Sequence, residues 1–415
     1  MSNSKQILII GANFSNKGAE AMMKTVKQQL SMRHPDIICH MLCRPYEKQL
    51  AIENGFNPVF GLPPSPFQRQ WRKFKYRLSG KLYKLIHGKS KPWRFAFPFE
   101  AIRVILNDLD AVIDISGFAY ADSWGKPMID ETTKLLNLCK RRGIKFYFLP
   151  QAWGSFDIPE VSVSVKRMLD EADGFFARDQ VSRRHLAKAM GVQESAIRLM
   201  PDIVFSFESD VIPVRTELTK YKAKGKLLIG ISPNLRVYEK SSKQGTENSY
   251  ISLLLTISRF CLEQLNANLV LIPNETFPET TRHRDDRHLC ELLYQHIGQP
   301  ERCFVVDRYA SAEEIKSYIG EVDLLVSSRF HALIFGLLQR KPVLAISWSH
   351  KYRELFSLFE LEEFVTESDA MAHSKLIIVQ LKKLIDEHQA IIEKIDTSLP
   401  LLKSQVDDMF REISI

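Results

Sequence analysis

Short apolar runs alternate with amphipathic stretches along most of this chain. The N-terminal half opens with an apolar run at residues 6–11 and continues with a helical pattern at 19–30. Similar runs, each followed by a polar or glycine-bearing turn, recur at 37–42, 111–115, 145–149, 174–177, 226–231, 268–272, 303–306, 322–326 and 343–346. Strands that alternate with helices in both halves predict two parallel-sheet α/β domains that face each other across a cleft.

The length of the chain supports this division. Its 415 residues exceed what one ordinary hydrophobic core organises, so about two domains are expected. We place the N-terminal domain at residues 1–207 and a charged, aperiodic linker at 208–225. The C-terminal domain then covers 226–373. Residues 374–415 are predicted to be helices that complete the second domain or cross back to the first.

Composition is typical of a soluble globular protein, with 45% apolar and 26% charged residues. No run approaches the roughly 20 apolar residues that span a bilayer, and the N-terminus lacks signal-peptide architecture, so we expect a cytoplasmic protein. The six scattered cysteines suit a reducing compartment. Cys39-His40-x-x-Cys43 has no second half at matching spacing, which favours buried cysteines over a metal site.

The net charge of +8 has a local origin. Residues 69–94 contain ten Lys or Arg and no Asp or Glu, and the rest of the chain is slightly acidic. Apolar side chains can share one helical face there, namely Trp71, Phe74, Leu78, Leu82 and Leu85. This pattern predicts a peripheral contact with an anionic membrane surface at its inner face. A solvated insertion folded on the N-terminal domain is one alternative. Nucleic-acid binding is another, and we do not expect it as a function of the protein.

Candidate chemistry concentrates between residues 322 and 352. The strand at 322–326 runs into Arg329 and His331 at the start of a helix, and Lys351 follows the next strand. Parallel strands connected in this way bring their following loops together at the carboxyl edge of the sheet. Helix-terminal amides with Arg329 and Lys351 suit phosphate and carboxylate, and His331 can exchange protons near neutral pH. The structural alternative is that His331 packs and Arg329 caps a surface.

Two other features bear on the site. Arg178 is a further cation at a strand-to-helix junction. The acidic pair Asp285-Asp286 stands at a predicted helix start, where it serves as a cap and dipole partner, so no metal is expected.

The run Ser328-Arg329-Phe330-His331-Ala332, followed by Pro342 and then Ser349-His350-Lys351, resembles the C-terminal signature of the polysaccharide pyruvyl transferase family. Phe330 replaces the usual leucine. Other matching pieces occur in order along the chain: Asn16-Lys17-Gly18-Ala19-Glu20-Ala21, Asp114-Ile115-Ser116-Gly117, Gln151-x-x-Gly154, Arg178-Asp179, Pro201-Asp202 and Asp285-Asp286-Arg287.

The resemblance implies two Rossmann-like domains in a GT-B-like arrangement. It also implies an enzyme of polysaccharide, exopolysaccharide or cell-envelope biosynthesis that forms a pyruvate ketal on a sugar. Phosphoenolpyruvate would be the co-substrate, phosphate would be released, and no cofactor would be required.

Site residues follow from the same resemblance. His331 and Arg329 are expected to be catalytic, and the donor would contact Arg178, Ser328, Arg329, Phe330, His331 and Lys351. By analogy with GT-B enzymes the N-terminal domain would hold the saccharide acceptor through Asn13, Asn16, Lys17, Asp114 and Gln151. A lipid-linked acceptor would explain the basic segment. The alternative function is a GT-B nucleotide-sugar glycosyltransferase, in which Glu275 would hold a ribose.

Overall fold

A computed structural model of the chain describes residues 4–60, 99–210, 212–222, 225–240, 243–278, 285–366 and 374–415. The predicted basic segment, residues 69–94, lies outside these ranges. Within them, no helix combines the length and the apolar character needed to cross a bilayer.

The first domain contains a parallel sheet of six strands in the order β3-β2-β1-β4-β5-β6. The strands are β1 (Gln6–Ile10), β2 (Ile38–Leu42), β3 (Asn57–Val59), β4 (Ala111–Asp114), β5 (Lys145–Gln151) and β6 (Gly174–Ala177). Its helices are α1 (Lys17–Ser31), α2 (Lys48–Glu53), α3 (Phe99–Ile105), α4 (Lys126–Lys140), α5 (Pro159–Asp170) and α6 (Gln180–Met190). Strand order reverses between β1 and β4, which creates a crevice at their carboxyl ends.

The second domain repeats this plan with a parallel sheet in the order β12-β11-β10-β7-β8-β9. Its strands are β7 (Leu228–Ser232), β8 (Asn268–Leu271), β9 (Cys303–Val305), β10 (Leu324–Ser327), β11 (Val343–Ile346) and β12 (Val365–Thr366). Its helices are α7 (Arg215–Leu218), α8 (Leu235–Tyr238), α9 (Ser249–Arg259), α10 (Asp286–Ile297), α11 (Ala312–Glu321), α12 (Phe330–Leu338), α13 (Lys351–Ser357), α14 (Ser374–Asp386) and α15 (His388–Glu412). The predicted pair of parallel-sheet α/β domains is confirmed.

The carboxyl edges of the two sheets meet through backbone hydrogen bonds. The Lys17 amide donates to the Asn274 carbonyl at 3.0 Å, and the Thr276 amide donates to the Ser15 carbonyl at 2.8 Å. The loop between β1 and α1 is thereby paired with the loop between β8 and α10. This contact places the ligand edge of one sheet opposite that of the other.

The C-terminal helix α15 reaches the first domain. Gln29 Nε2 donates to Asp407 Oδ1 at 2.8 Å, and the Arg33 guanidinium donates to the Arg411 carbonyl at 2.9 Å. Just beyond the helix, the Tyr147 hydroxyl is 3.1 Å from the Ser414 carbonyl. The chain therefore ends against the domain in which it began.

Candidate active site

Buried polar atoms without hydrogen-bond partners lie at one edge of each sheet. Across the described ranges they belong to Ser15, Gln151, Asp179, Ser232, Asn274, Arg329, His331 and Ser349. Each of these residues lies at the carboxyl end of a parallel strand or in the segment that follows it. An unsatisfied buried polar group costs about 1–3 kcal/mol, so such groups call for an explanation. Their distribution indicates a polar ligand site between the two sheets.

His331 lies in the first turn of α12, where both domains surround its imidazole. Its Nε2 is 3.5 Å from Asp202 Oδ2, which belongs to the first domain. A Cβ added to Gly18, in the first turn of α1, would lie 1.9 Å from His331 Nδ1, so the ring packs directly against that turn. Burial lowers the pKa of His331, although Asp202 opposes the shift. The imidazole is consequently neutral near pH 7.

Asp202 connects this histidine to a cation. Arg178 Nη1 donates to Asp202 Oδ2 at 2.8 Å, and both side chains are buried. Burial disfavours the carboxylate, but His331 and Arg178 outweigh it and lower the pKa of Asp202 to about 2. The Arg178 guanidinium also lies 4.5 Å from the centroid of the Phe330 ring. These contacts hold Arg178 beside the imidazole.

Lys351 begins α13 and points its ammonium group into an aromatic setting. Its Nζ lies 4.5 Å from the Trp348 ring centroid, 5.4 Å from that of Phe330 and 5.6 Å from that of Tyr352. Over the described part of the chain, it makes no ion pair. Burial, together with the charges of Arg178 and Arg329, lowers the pKa of Lys351 to about 7. Below this pKa, Lys351 therefore presents an ammonium group that is available to an anionic ligand.

Arg329 is more constrained than the sequence suggested. Its Nη2 donates to Glu275 Oε2 at 2.8 Å and also to Asp286, while its Nε is buried without a partner. Asp286 accepts in addition from the backbone amides of Leu235 and Glu275. Asp285 caps α10, as predicted, but Asp286 is the anchor of Arg329 and not merely a dipole partner. One side of the Arg329 guanidinium is thus neutralised and fixed.

Ser328 and Lys17, both predicted to contact ligands, make hydrogen bonds within the protein. The Ser328 hydroxyl hydrogen-bonds with the Tyr250 hydroxyl, and its carbonyl accepts from Asn234 Nδ2 at 2.8 Å. Lys17 is completely buried, with its Nζ bound to the Phe14 carbonyl and to Glu20 Oε2. Protein atoms thus already engage both polar groups, and their contact with a ligand stays a prediction.

The remaining predicted acceptor residues differ in availability. Asn13 and Asn16 accept from backbone amides of the β1–α1 turn, with Asn16 capping α1. Asp114 accepts from the Ser116 amide and the Tyr120 hydroxyl, and burial raises its pKa. Gln151 alone keeps both amide atoms buried and unpartnered. Among the five it is the residue most suited to a ligand.

The sequence prediction omitted Asp202 from the site. The only signal was the Pro201-Asp202 pair among the pieces that resemble the family. Its role depends on a contact between domains, which no local pattern reveals.

Both the sequence and the fold are similar to those of known proteins. A family model described as polysaccharide pyruvyl transferase matches residues 16–350. The fold is similar to that of UDP-GlcNAc 2-epimerase from Neisseria meningitidis bound to UDP-GlcNAc, with a TM-score of 0.59, 10% identity and 98% of each chain covered. S. aureus MnaA in its UDP co-structure gives a TM-score of 0.59 at 12% identity, over 97% of this chain and 94% of that one. A glycosyltransferase from Rickettsia africae gives 0.54 at 12% identity, over 99% and 98%.

Proposed function

Because the chain belongs to the polysaccharide pyruvyl transferase family, we propose that it transfers the pyruvyl group of phosphoenolpyruvate to a saccharide as a cyclic ketal and releases phosphate. The observation that carries the proposal is the convergence of Arg178, His331 and Lys351 from both domains on one edge-to-edge cleft. No resident cofactor is part of the proposal.

The cations suit this donor. Phosphoenolpyruvate carries a carboxylate and a phosphate ester on one carbon, so several fixed positive groups are needed to bind it. Arg178 and Lys351 both lie over the Phe330 ring, which keeps them close to each other and to His331. Glu275 and Asp286 already pair with Arg329, so its contribution is the buried Nε, a hydrogen-bond donor without a partner. We assign phosphate and carboxylate recognition to this set.

The chemistry requires controlled proton transfer. One sugar hydroxyl forms a C–O bond to the central carbon of phosphoenolpyruvate, while the methylene carbon gains a proton and becomes a methyl group. The second hydroxyl then displaces phosphate and closes the ring. His331 is neutral at pH 7, so it takes the proton of the first attacking hydroxyl as a general base, and the imidazolium then gives this proton to the methylene carbon. The proton of the second hydroxyl leaves with the phosphate. Asp202 stabilises the imidazolium that forms.

The acceptor is assigned to the first domain. Gln151 supports this assignment, because its amide offers a donor and an acceptor with no protein partner. The experiment below is designed to identify the saccharide. Its panel of acceptors includes lipid-linked sugars because of the basic segment at 69–94.

Phosphate release from phosphoenolpyruvate by the purified protein tests the proposal. We expect release only when a suitable acceptor from a panel of free, polymeric and lipid-linked saccharides is present, with one pyruvate ketal formed per phosphate. Absence of phosphoenolpyruvate binding would contradict the donor assignment. Transfer from a UDP-sugar in the same panel would instead establish a nucleotide-sugar glycosyltransferase.

Lys351 predicts a pH dependence for donor binding. Its ammonium form predominates below its pKa of about 7 and is lost as the pH rises through that value. We therefore expect the KM for phosphoenolpyruvate to rise above pH 7, by up to about tenfold per pH unit. The Lys351→Arg variant should lose this dependence because guanidinium stays charged. An identical pH profile in the two proteins would exclude Lys351 as the titrating group.

A further inference from the structure

The loop between β4 and α4, residues 115–125, exposes large aromatic side chains. Phe118 is 40% exposed and Trp124 is 51% exposed. In the part of the chain that the structure describes, all other Phe, Trp and Tyr residues are buried or half-buried. Single exposed apolar residues need no explanation, but two large rings on one loop beside a ligand cleft do. Their exposure indicates a binding role.

The loop that carries these rings is held firmly. The Asp122 carboxylate accepts from the Asp157 amide at 2.8 Å and from the Ser155 hydroxyl at 3.1 Å. Between the two exposed residues, Tyr120 is buried and stacks on Trp153 with 5.2 Å between ring centroids. Rings presented from such a base lose little conformational entropy when a ligand binds. The loop is thus preorganised for recognition.

Its position connects the loop with the first-domain ligand edge. The Ala152 amide donates to the Gly117 carbonyl at 2.8 Å, directly after Gln151 in the chain. On the other side, a Cβ on Gly11 would lie 2.3 Å from the Ser116 hydroxyl, so the β1 turn also packs on this loop. The exposed rings therefore belong to the same edge as Gln151, whose fully buried amide has no partner.

We infer that Phe118 and Trp124 bind pyranose rings of the acceptor glycan at the sheet edge that also carries Gln151. The inference rests on the proposed function, since it assigns the acceptor to this edge. One face of a pyranose presents C–H groups, which are attracted to the negative face of an aromatic ring, while its hydroxyls require polar partners such as an amide.

The charge of the loop favours a sugar over an anionic lipid surface. Residues 115–125 contain Asp122 and no Lys or Arg. Binding to anionic headgroups relies on several cations near the surface, at roughly 1 kcal/mol each. Two exposed rings on a loop without a cation therefore form a surface suited to a neutral, hydroxyl-rich ligand.

The test uses the full-length protein without phosphoenolpyruvate. Saturation-transfer NMR is recorded with methyl pyranosides of the gluco, galacto, manno and N-acetylgluco series. Phe118→Ala and Trp124→Ala should each weaken binding of the pyranoside that gives the strongest signal, by about threefold to tenfold. Trp124→Phe should retain most of it. The matched control is Val104→Ala, which removes a 79% exposed aliphatic side chain from α3.

Three results of the sugar-binding experiment would overturn the inference. These are no pyranoside signal with the wild-type protein, unchanged signals in both alanine variants, or an equal loss in Val104→Ala. The inference would also be overturned if the wild-type protein bound phosphatidylglycerol vesicles and the aromatic variants lost this binding but kept sugar binding. That result would assign the surface to lipid. Phosphoenolpyruvate binding is measured separately by calorimetry. If phosphoenolpyruvate does not bind while pyranosides bind normally, the proposed function is rejected and the sugar-binding role of Phe118 and Trp124 is retained.

Discussion

Replacing His331 with alanine should reduce ketal formation by about a hundredfold to ten-thousandfold, the range expected for a general base. The imidazole lies between Asp202, which also binds Arg178, and the first turn of α1. Arg178 and Lys351 remain in the variant, so its affinity for phosphoenolpyruvate, measured by calorimetry, should change by only a few-fold. Phosphate release and ketal formation are the readouts of turnover.

Two further variants separate chemistry from folding in this experiment. His296→Ala removes an exposed histidine at the end of α10 and should leave activity unchanged. Gly18→Ala keeps His331 but places a methyl group where the imidazole lies, so it should also reduce turnover. Wild-type turnover in His331→Ala would reject the base assignment. Wild-type turnover in Gly18→Ala would show that the ring position is not critical.

The fold and the C-terminal part of the site could be predicted because they depend on local patterns. Strands buried on both faces appear in the sequence as continuous apolar runs. Because β10 is followed directly by α12, Arg329 and His331 lie at the ligand edge of their sheet, whatever the position of the first domain. Lys351 followed from the same argument applied to β11.

Contacts between the domains could not be predicted in this way. Asp202 reaches His331 from the other domain, and Lys17 is buried where a lysine is rarely found. A lysine in a polar turn is normally predicted to be an exposed cation. The sequence does not indicate that Glu20 and the second domain enclose Lys17. Asp202 and Lys17 both lie at the interface between the domains, and the contacts of Lys17 lead to a prediction about stability.

Glu20→Gln should lower the free energy of unfolding by about 3 kcal/mol, because it leaves buried lysines without their shared partner. Glu20 is 1% exposed and receives hydrogen bonds from Lys17 at 3.1 Å and Lys24 at 2.7 Å. Lys24 also contacts Glu313 of α11, so the cluster joins α1 to the second domain. Urea denaturation followed by circular dichroism and by tryptophan fluorescence would report the change.

The effect should depend on pH in a defined direction. Burial opposes the carboxylate, but Lys17 and Lys24 outweigh it and lower the pKa of Glu20 below 4.5. Its contribution is therefore complete above the unfolded pKa and is lost as the pH falls through the folded value. The difference between wild type and Glu20→Gln should accordingly shrink on acidification. Asp170→Asn, which breaks the exposed Lys166–Asp170 pair, is the matched control and should have little effect at any pH. If Glu20→Gln unfolds at the same urea concentration as this control, the buried cluster does not stabilise the interface.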